Sequence, residues 1–419
     1  MTMAEDNKDK VLNVPNLRFP HFTEKWTECE LQDIANISKG AGISKDQLSD
    51  LGESCILYGE LYTKYKSEVI TDVISKTDID TSNLVRSKAN DVIIPSSGET
   101  AIDISTARCV PFDNILLGGD LNIIRLKDQD GRFFSYQLNG VRKHDIAKIA
   151  QGVSVVHLYG DSLRHLKVRY PSKAEQEKIS SLLAAIDGRI TSQSRIIEDL
   201  KSERKFLLEQ LFCLPKEHTP KLRLKGMTGD WHKVRLYDIV ERVTERNKAN
   251  TCNRVLTIAA QYGLIDQQEF FNKQIASSDL TTYYLLHKGD FAYNKSYSGD
   301  YPWGAVKRLD NYNEGVLSSL YVCFRPNKNV DSDFLCHYFE STKWYRGISE
   351  ISGEGARNHG LLNMSVDDYF NTIHKIPSIE EQRQISSMLN TIVQKIQIEE
   401  TILGSLQKQK LFLLKEMFI

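Results

Sequence analysis

Apolar residues recur along two stretches of this chain at alternating spacings that average close to 3.5 residues. The first stripe is Ile179, Leu183, Ile186, Ile190, Ile197, Leu200, Leu207 and Leu211; the second is Ile385, Leu389, Ile392, Ile396, Leu403, Leu406, Leu413 and Met417. That spacing is the period of a coiled-coil seam. Polar interruptions fall at matching places, Gln193 with Glu399 and Arg204 with Lys410. The stretches 171–212 and 377–418 align without a gap at an offset of 206, and 16 of the 42 pairs are identical. Each predicts one helix on the order of 60 Å long. Such a helix cannot cover its stripe alone, and the simplest arrangement pairs the two antiparallel about a pseudo-twofold axis. In that register Ile179 faces Leu413, Ile186 faces Leu406, Gln193 faces Glu399, Leu200 faces Ile392 and Leu207 faces Ile385, with Leu183 and Leu389 on the same seam.

A second signature repeats as well. Val14-Pro15-Asn16-Leu17-Arg18-Phe19, Trp26 and Leu31-Gln32-Asp33-Ile34 return at an offset of 205 as Thr219-Pro220-Lys221-Leu222-Arg223-Leu224, Trp231 and Leu236-Tyr237-Asp238-Ile239. The duplication therefore covers whole halves. In each copy the Pro and Trp anchor a domain entry, and Leu-x-Asp-Ile opens a short helix packed by its apolar face. Between signature and long helix, short apolar runs bounded by turn residues predict strands at Asp91–Pro95 and Leu121–Arg125, matched by Asp290–Tyr293 and Leu320–Arg325. Helical segments follow near Phe133–Ile149 and Asp333–Ile348. The predicted fold class is α+β: two similar domains, 14–170 and 220–376, separated by two long antiparallel spacer helices, 171–212 and 377–419. Residues 1–13 are expected to be a disordered leader, and 213–219, rich in helix stops, a linker.

Composition narrows the function by exclusion. Length favours two or three domains, and no run of 18 apolar residues suggests a membrane span. The polar start MTMAEDNKDK gives no secretory signal, so the expected location is the cytoplasm. Seven widely spaced cysteines without a CxxC pair fit buried thiols rather than disulfides or zinc. The net charge is −1, and residues 1–171 carry 21 basic and 24 acidic side chains against 21 and 19 in 213–378. Phosphate binding would therefore use local patches or borrow charge from a partner. Phosphate loops, adenine-methylation motifs, His-Glu-x-x-His and cysteine clusters are all missing. Gly160-Asp161-Ser162-Leu163 has a lipase-like look, but its aligned segment Val366-Asp367-Asp368-Tyr369 lacks the serine. No catalytic and no metal-binding residue is assigned.

The paired Pro-Ser-x-x-Glu-Gln-x-x-Ile-Ser-Ser helix starts, the VPNLRFPHF and TPKLRLKGM domain starts, and the two-domain, two-helix layout resemble the specificity subunit of type I restriction-modification enzymes along essentially the full length. The resemblance implies a non-catalytic subunit whose two target recognition domains each read one half of a split, asymmetric site in double-stranded DNA. It implies that the helices set the unspecified gap and dock two modification subunits that methylate adenine, through which restriction subunits join. S-adenosylmethionine, ATP and magnesium would then belong to those partners, and no cofactor to this chain.

Candidate DNA contacts follow from loop chemistry. Ser96, Ser97, Gly98 and Thr100 in the first domain match Asn294, Lys295, Ser296 and Tyr297 in the second, where small hydroxyls and glycine let backbone approach phosphate. Lys39 pairs with Arg246 and Asn247 just past the entry helices. Gln151 and Ser154, with Arg357 and Asn358, precede the long helices and suit base edges, since Arg favours guanine and Asn or Gln adenine. A coiled-coil adaptor without sequence readout is the rival reading; the divergence between the two domain interiors speaks against it.

Overall fold

The computed structural model describes residues 13–259, 262–271, 279–296, 301–352, 360 and 362–419. The leader to residue 12 lies outside them, whereas Asn13 is ordered and takes the Trp26 amide on its carbonyl at 2.9 Å. The chain forms two compact units, Met1–Ser194 with Thr401–Ile419, and Arg195–Glu400.

The first unit is built on a four-stranded antiparallel sheet in the order Ala35–Lys39, Leu121–Leu126, Asp91–Pro95 and Arg108–Val110. Its two central strands are buried almost throughout, which is why they read as continuous apolar runs. Entry strand Thr27–Glu30 pairs antiparallel with Lys167–Tyr170, which leads into the first long helix, Lys173–Leu211. The second unit repeats this plan. Its sheet runs Val240–Arg242, Val322–Pro326, Phe291–Asn294, Ala305–Arg308, and His232–Arg235 pairs with Ile373–Ile376 before the second long helix, Ile379–Glu416.

The helical segments after the sheets each break in two. Gly131–Asn139 stops where Gly140 returns its amide to Tyr136, and Lys143–Ile149 follows; Ser332–Glu340 and Tyr345–Ile351 divide at Ser341. In the first unit the beginning of the first long helix and the end of the second share one core: Ile179, Leu183 and Ile186 meet Leu413, Leu414, Met417 and Phe418 around Trp26 and Phe133. In the second unit Leu207, Leu208, Leu211 and Phe212 share a core with Ile385, Leu389 and Ile392 around Trp231. The stripe is therefore covered by domain residues as well as by helix. Leu200 and Leu406 are also buried, while Gln193 belongs to the first unit and Glu399 to the second. The linker opens on a fully buried Cys213.

The repeated motifs are joinery. Arg18 of the first signature grips Glu175 of the helix start with Nε and Nη2, both at 2.7 Å, and Arg223 grips Glu381 at 2.9 and 2.8 Å. The neighbouring glutamines do the second task. Gln176 donates to the Pro171 carbonyl and accepts the Asp130 amide, and Gln382 does the same with Pro377 and Asp331. Asp130 and Asp331 in turn cap the helices behind the sheets. Thus Pro-Ser-x-x-Glu-Gln fastens domain entry, long helix and sheet-backing helix together in each unit.

One buried group gives the second unit a pH dependence. The Thr372 hydroxyl lies 2.7 Å from both the Tyr369 carbonyl and His374 Nε2, while the Tyr338 hydroxyl lies 2.8 Å from His374 Nδ1. Thr372 donates to the carbonyl, so Nε2 carries the proton; burial disfavours a second one, which leaves Nδ1 to accept from Tyr338. Burial pushes the His374 pKa from 6.5 down to about 4. The unfolded chain therefore binds this proton more readily, and the contribution, full above the unfolded value, is lost as pH falls from 6.5 towards 4. His337, also lowered by burial, acts in the same direction. Between pH 7 and 5, urea midpoints of the second unit should fall by an amount that includes about 2 kcal/mol from His374. His374→Gln should flatten that fall; an unchanged slope would refute the assignment.

Candidate nucleic-acid interface

In the first unit the strand Ala35–Lys39 delivers an exposed Lys39 to the turn Gly40-Ala41-Gly42. A Cβ at Gly40 would stand 2.0 Å from the Gly118 carbonyl oxygen, so only glycine lets these two turns meet. Beyond it the chain lines a cavity of about 660 Å³, with Ile43, Leu48, Leu57 and Tyr58 as apolar wall and Ser44, Lys45, Thr63, Lys64 and Asp120 as polar lining. Within it Glu60 is tied to Lys64, Ser75 and the Leu57 amide, and Lys45 is exposed.

A second exposed feature is a tight hairpin. Gln151 and His157 exchange backbone hydrogen bonds at 2.9 and 2.7 Å, and Gly152 turns the chain at φ +125, where a Cβ would lie 2.1 Å from the Val155 oxygen. Gln151, Val153 and Ser154 are all exposed, Val153 at 97 %. The hairpin is fixed to the sheet. Ser97–Gly98 pairs with Val156–His157, the Leu158 amide donates to Ser96, and the Asn122 carboxamide donates to Leu158. The exposed Tyr159 ring stacks on His157 at 6.0 Å.

The corresponding edge of the second unit places the Arg246 guanidinium over the Tyr284 ring at 5.0 Å while it donates to the Thr282 carbonyl, still exposed. Two other arginines are spoken for. Arg125 and Arg325 sit at equivalent places and bind buried Asp91 and Asp290 through both Nε and Nη2, and those hydrogen bonds raise both guanidinium pKa values.

Residues 23–202 match the family model described as the type I restriction modification DNA specificity domain. Over that stretch the chain is similar to the type I restriction-modification DNA specificity domain. Its fold is that of a type I restriction-modification S subunit from M. genitalium, with a TM-score of 0.59 over 97 % of this chain and 99 % of that one at 16 % identity. A chain from a structure of type I R-M complex assembly and conformational transition matches at a TM-score of 0.53 and 13 % identity, covering 95 % and 98 %. The chain is an α+β protein with two long helices.

The residues expected at the DNA divide into three groups. Lys39, Gln151, Ser154, Arg246 and Ser296 are exposed, and Thr100 is exposed but caps the helix Ala101–Ile104 through the Asp103 amide. Others are interior, contrary to expectation. Ser96 and Ser97 are buried beneath the hairpin and Gly98 pairs with Val156. Asn247 is 2 % exposed and closes its own loop by bonds to both the amide and carbonyl of Cys252. Asn294 turns its side-chain oxygen to the Ser296 amide, and half-buried Lys295 accepts the Leu362 amide on its carbonyl. Tyr297, Arg357 and Asn358 lie outside the described residues. Lys45 and Tyr58 were not singled out from the sequence, because one lysine and one tyrosine in a polar stretch carry no periodic signal.

The described residues hold no cluster of His, Cys, Asp and Glu able to bind a metal, and no helix among them is long and apolar enough to cross a membrane. All seven cysteines are free thiols, five of them buried. Burial pushes Cys109, Cys213 and Cys323 up to about 12, far from a reactive thiolate.

Proposed function

We propose that this chain is the reader of a type I restriction-modification complex, with recognition domains at 14–170 and 220–376 each taking one half of an asymmetric bipartite DNA site. One observation carries this reading: both units keep the same joinery at Arg18–Glu175 and Arg223–Glu381, whereas the exposed edges beside it differ. A scaffold duplicated with its fasteners intact and its exposed edges changed suits two different half-sites, as symmetric dimers suit palindromes. In the first domain Lys39 and Lys45 contact phosphate and Gln151 and Ser154 reach base edges; in the second, Arg246 and Ser296 approach the duplex.

The helices 171–212 and 377–419 set the gap and dock two modification subunits. Those bring S-adenosylmethionine, methylate adenine, and recruit restriction subunits with ATP and magnesium, while this chain performs no chemistry and acts in the cytoplasm. Co-expression with the cognate modification subunit, followed by genome-wide mapping of N6-methyladenine, tests the reading. A single asymmetric motif with a fixed gap is expected. A stable complex that adds no methylation would replace the reader with an adaptor.

A further inference from the structure

The first unit contains a buried charge cluster that the matching helix positions of the second do not repeat. Lys410, near the end of the second long helix, is 14 % exposed and bonds Asp187 of the first long helix at 2.6 Å and also Glu68. Asp187 further accepts the Tyr136 hydroxyl at 2.7 Å and the Ser67 hydroxyl at 2.9 Å. Glu68 sits on the sheet edge: its carbonyl accepts the Cys109 amide and the Ser135 hydroxyl, both at 2.8 Å. The buried Arg108, held by the Leu61 and Tyr65 carbonyls, faces the same two carboxylates. Two cations thus balance two anions where both long helices meet the recognition domain.

At the matching helix positions of the second unit stand Arg204 for Lys410 and Val393 for Asp187. Val393 supplies no carboxylate, and the Arg204 Nε is buried without a hydrogen-bond partner. Duplication of the fold therefore does not require the cluster. Buried ion pairs add little net stability over apolar packing, and their best-attested use is to enforce one geometry over near alternatives, because only one placement satisfies every charge.

We propose that Lys410 is a positioning residue that holds the first recognition domain in a single orientation on its helix pair, and so limits the gap between half-sites that the complex accepts. This rests on the bipartite reading above.

The test uses the full chain co-expressed with its modification subunit and scores methylated motifs by gap length. A triple variant, Lys410→Met with Asp187→Val and Glu68→Gln, removes these three charges together and leaves Arg108 on the Leu61 and Tyr65 carbonyls. It is expected to raise methylation at sites with a shorter or longer gap by about tenfold while both half-site sequences stay the same. Lys410→Arg alone, which keeps the charge beside both carboxylates, should keep the single gap. Tyr136→Phe, which removes only one hydroxyl from Asp187, serves if the triple variant does not fold, and should produce the same broadening to a smaller degree. A folded triple variant with an unchanged gap, or an unchanged gap in Tyr136→Phe when the triple variant does not fold, would overturn the proposal. If the unaltered complex methylates no bipartite site, it is the bipartite reading that fails. The clamp is then read by amide hydrogen exchange at residues 65–70 and 405–419, which should quicken in Tyr136→Phe and overturns the clamp if it does not.

Discussion

Replacing Glu175 with alanine is expected to destabilise the first unit by about 3 kcal/mol, the lower end of the cost of breaking a buried ion pair. The Glu175 side chain is 1 % exposed and holds both Nε and Nη2 of Arg18, itself 13 % exposed. The bond to Glu175 raises the Arg18 pKa, and a guanidinium stays charged even without such a partner. Alanine would strand that charge at a site with only limited access to water. The equivalent Glu381→Ala should cost the second unit less at the arginine, because Arg223 keeps the Gly229 and Thr228 carbonyls at 2.6 and 2.9 Å. It also orphans the Trp231 indole, which donates to Glu381 at 3.3 Å. Urea melts of the two variants, followed by hydrogen exchange in each unit, separate these cases. No loss in Glu175→Ala would mean that the clasp is ornamental.

The clasp also shows how far the sequence could be read. Both motifs stood out because they recur at nearly the same offset, yet Arg18 and Glu175 lie 157 residues apart and nothing in one copy joins them. The signal was the recurrence of an opposite-charge pair, one member in each motif, in both halves. Strands such as Asp91–Pro95 were legible because burial on both faces leaves an uninterrupted apolar run. The stripe on the long helices announced a buried face but not its cover, so Ile179 and Leu183, which lie in the core of the first domain, read only as seam. Loop chemistry misled for a related reason. Small hydroxyls, glycine and asparagine serve phosphate contacts, but the same small size lets Ser96 and Ser97 pack under a hairpin and the same carboxamide lets Asn247 close a turn.

Phe418→Ala should be as damaging as the loss of the clasp, and confined to the first unit. Phe418 is 3 % exposed and its ring lies 5.1 Å from Phe133 and 6.4 Å from Trp26, so the end of the second long helix completes the core of the domain at the other end of the sequence. Bonds to its backbone carbonyls hold it there: the Leu17 amide donates to the Glu416 carbonyl, and the Arg142 side chain, through Nη2, to the Ile419 carbonyl, each at 2.9 Å. Truncating a buried phenylalanine costs about 3–5 kcal/mol, because lost transfer energy adds to the cavity left behind. Phe212, the matching residue, is 1 % exposed among Trp231, Phe334 and Tyr338 at 6.5, 5.2 and 5.7 Å, and Phe212→Ala should do the same to the second unit. Hydrogen exchange resolved along the chain should show Phe418→Ala loosening 121–138 while 322–339 stays protected, and the reverse for Phe212→Ala. Equal loosening of both regions by either change would show that the two cores unfold as one.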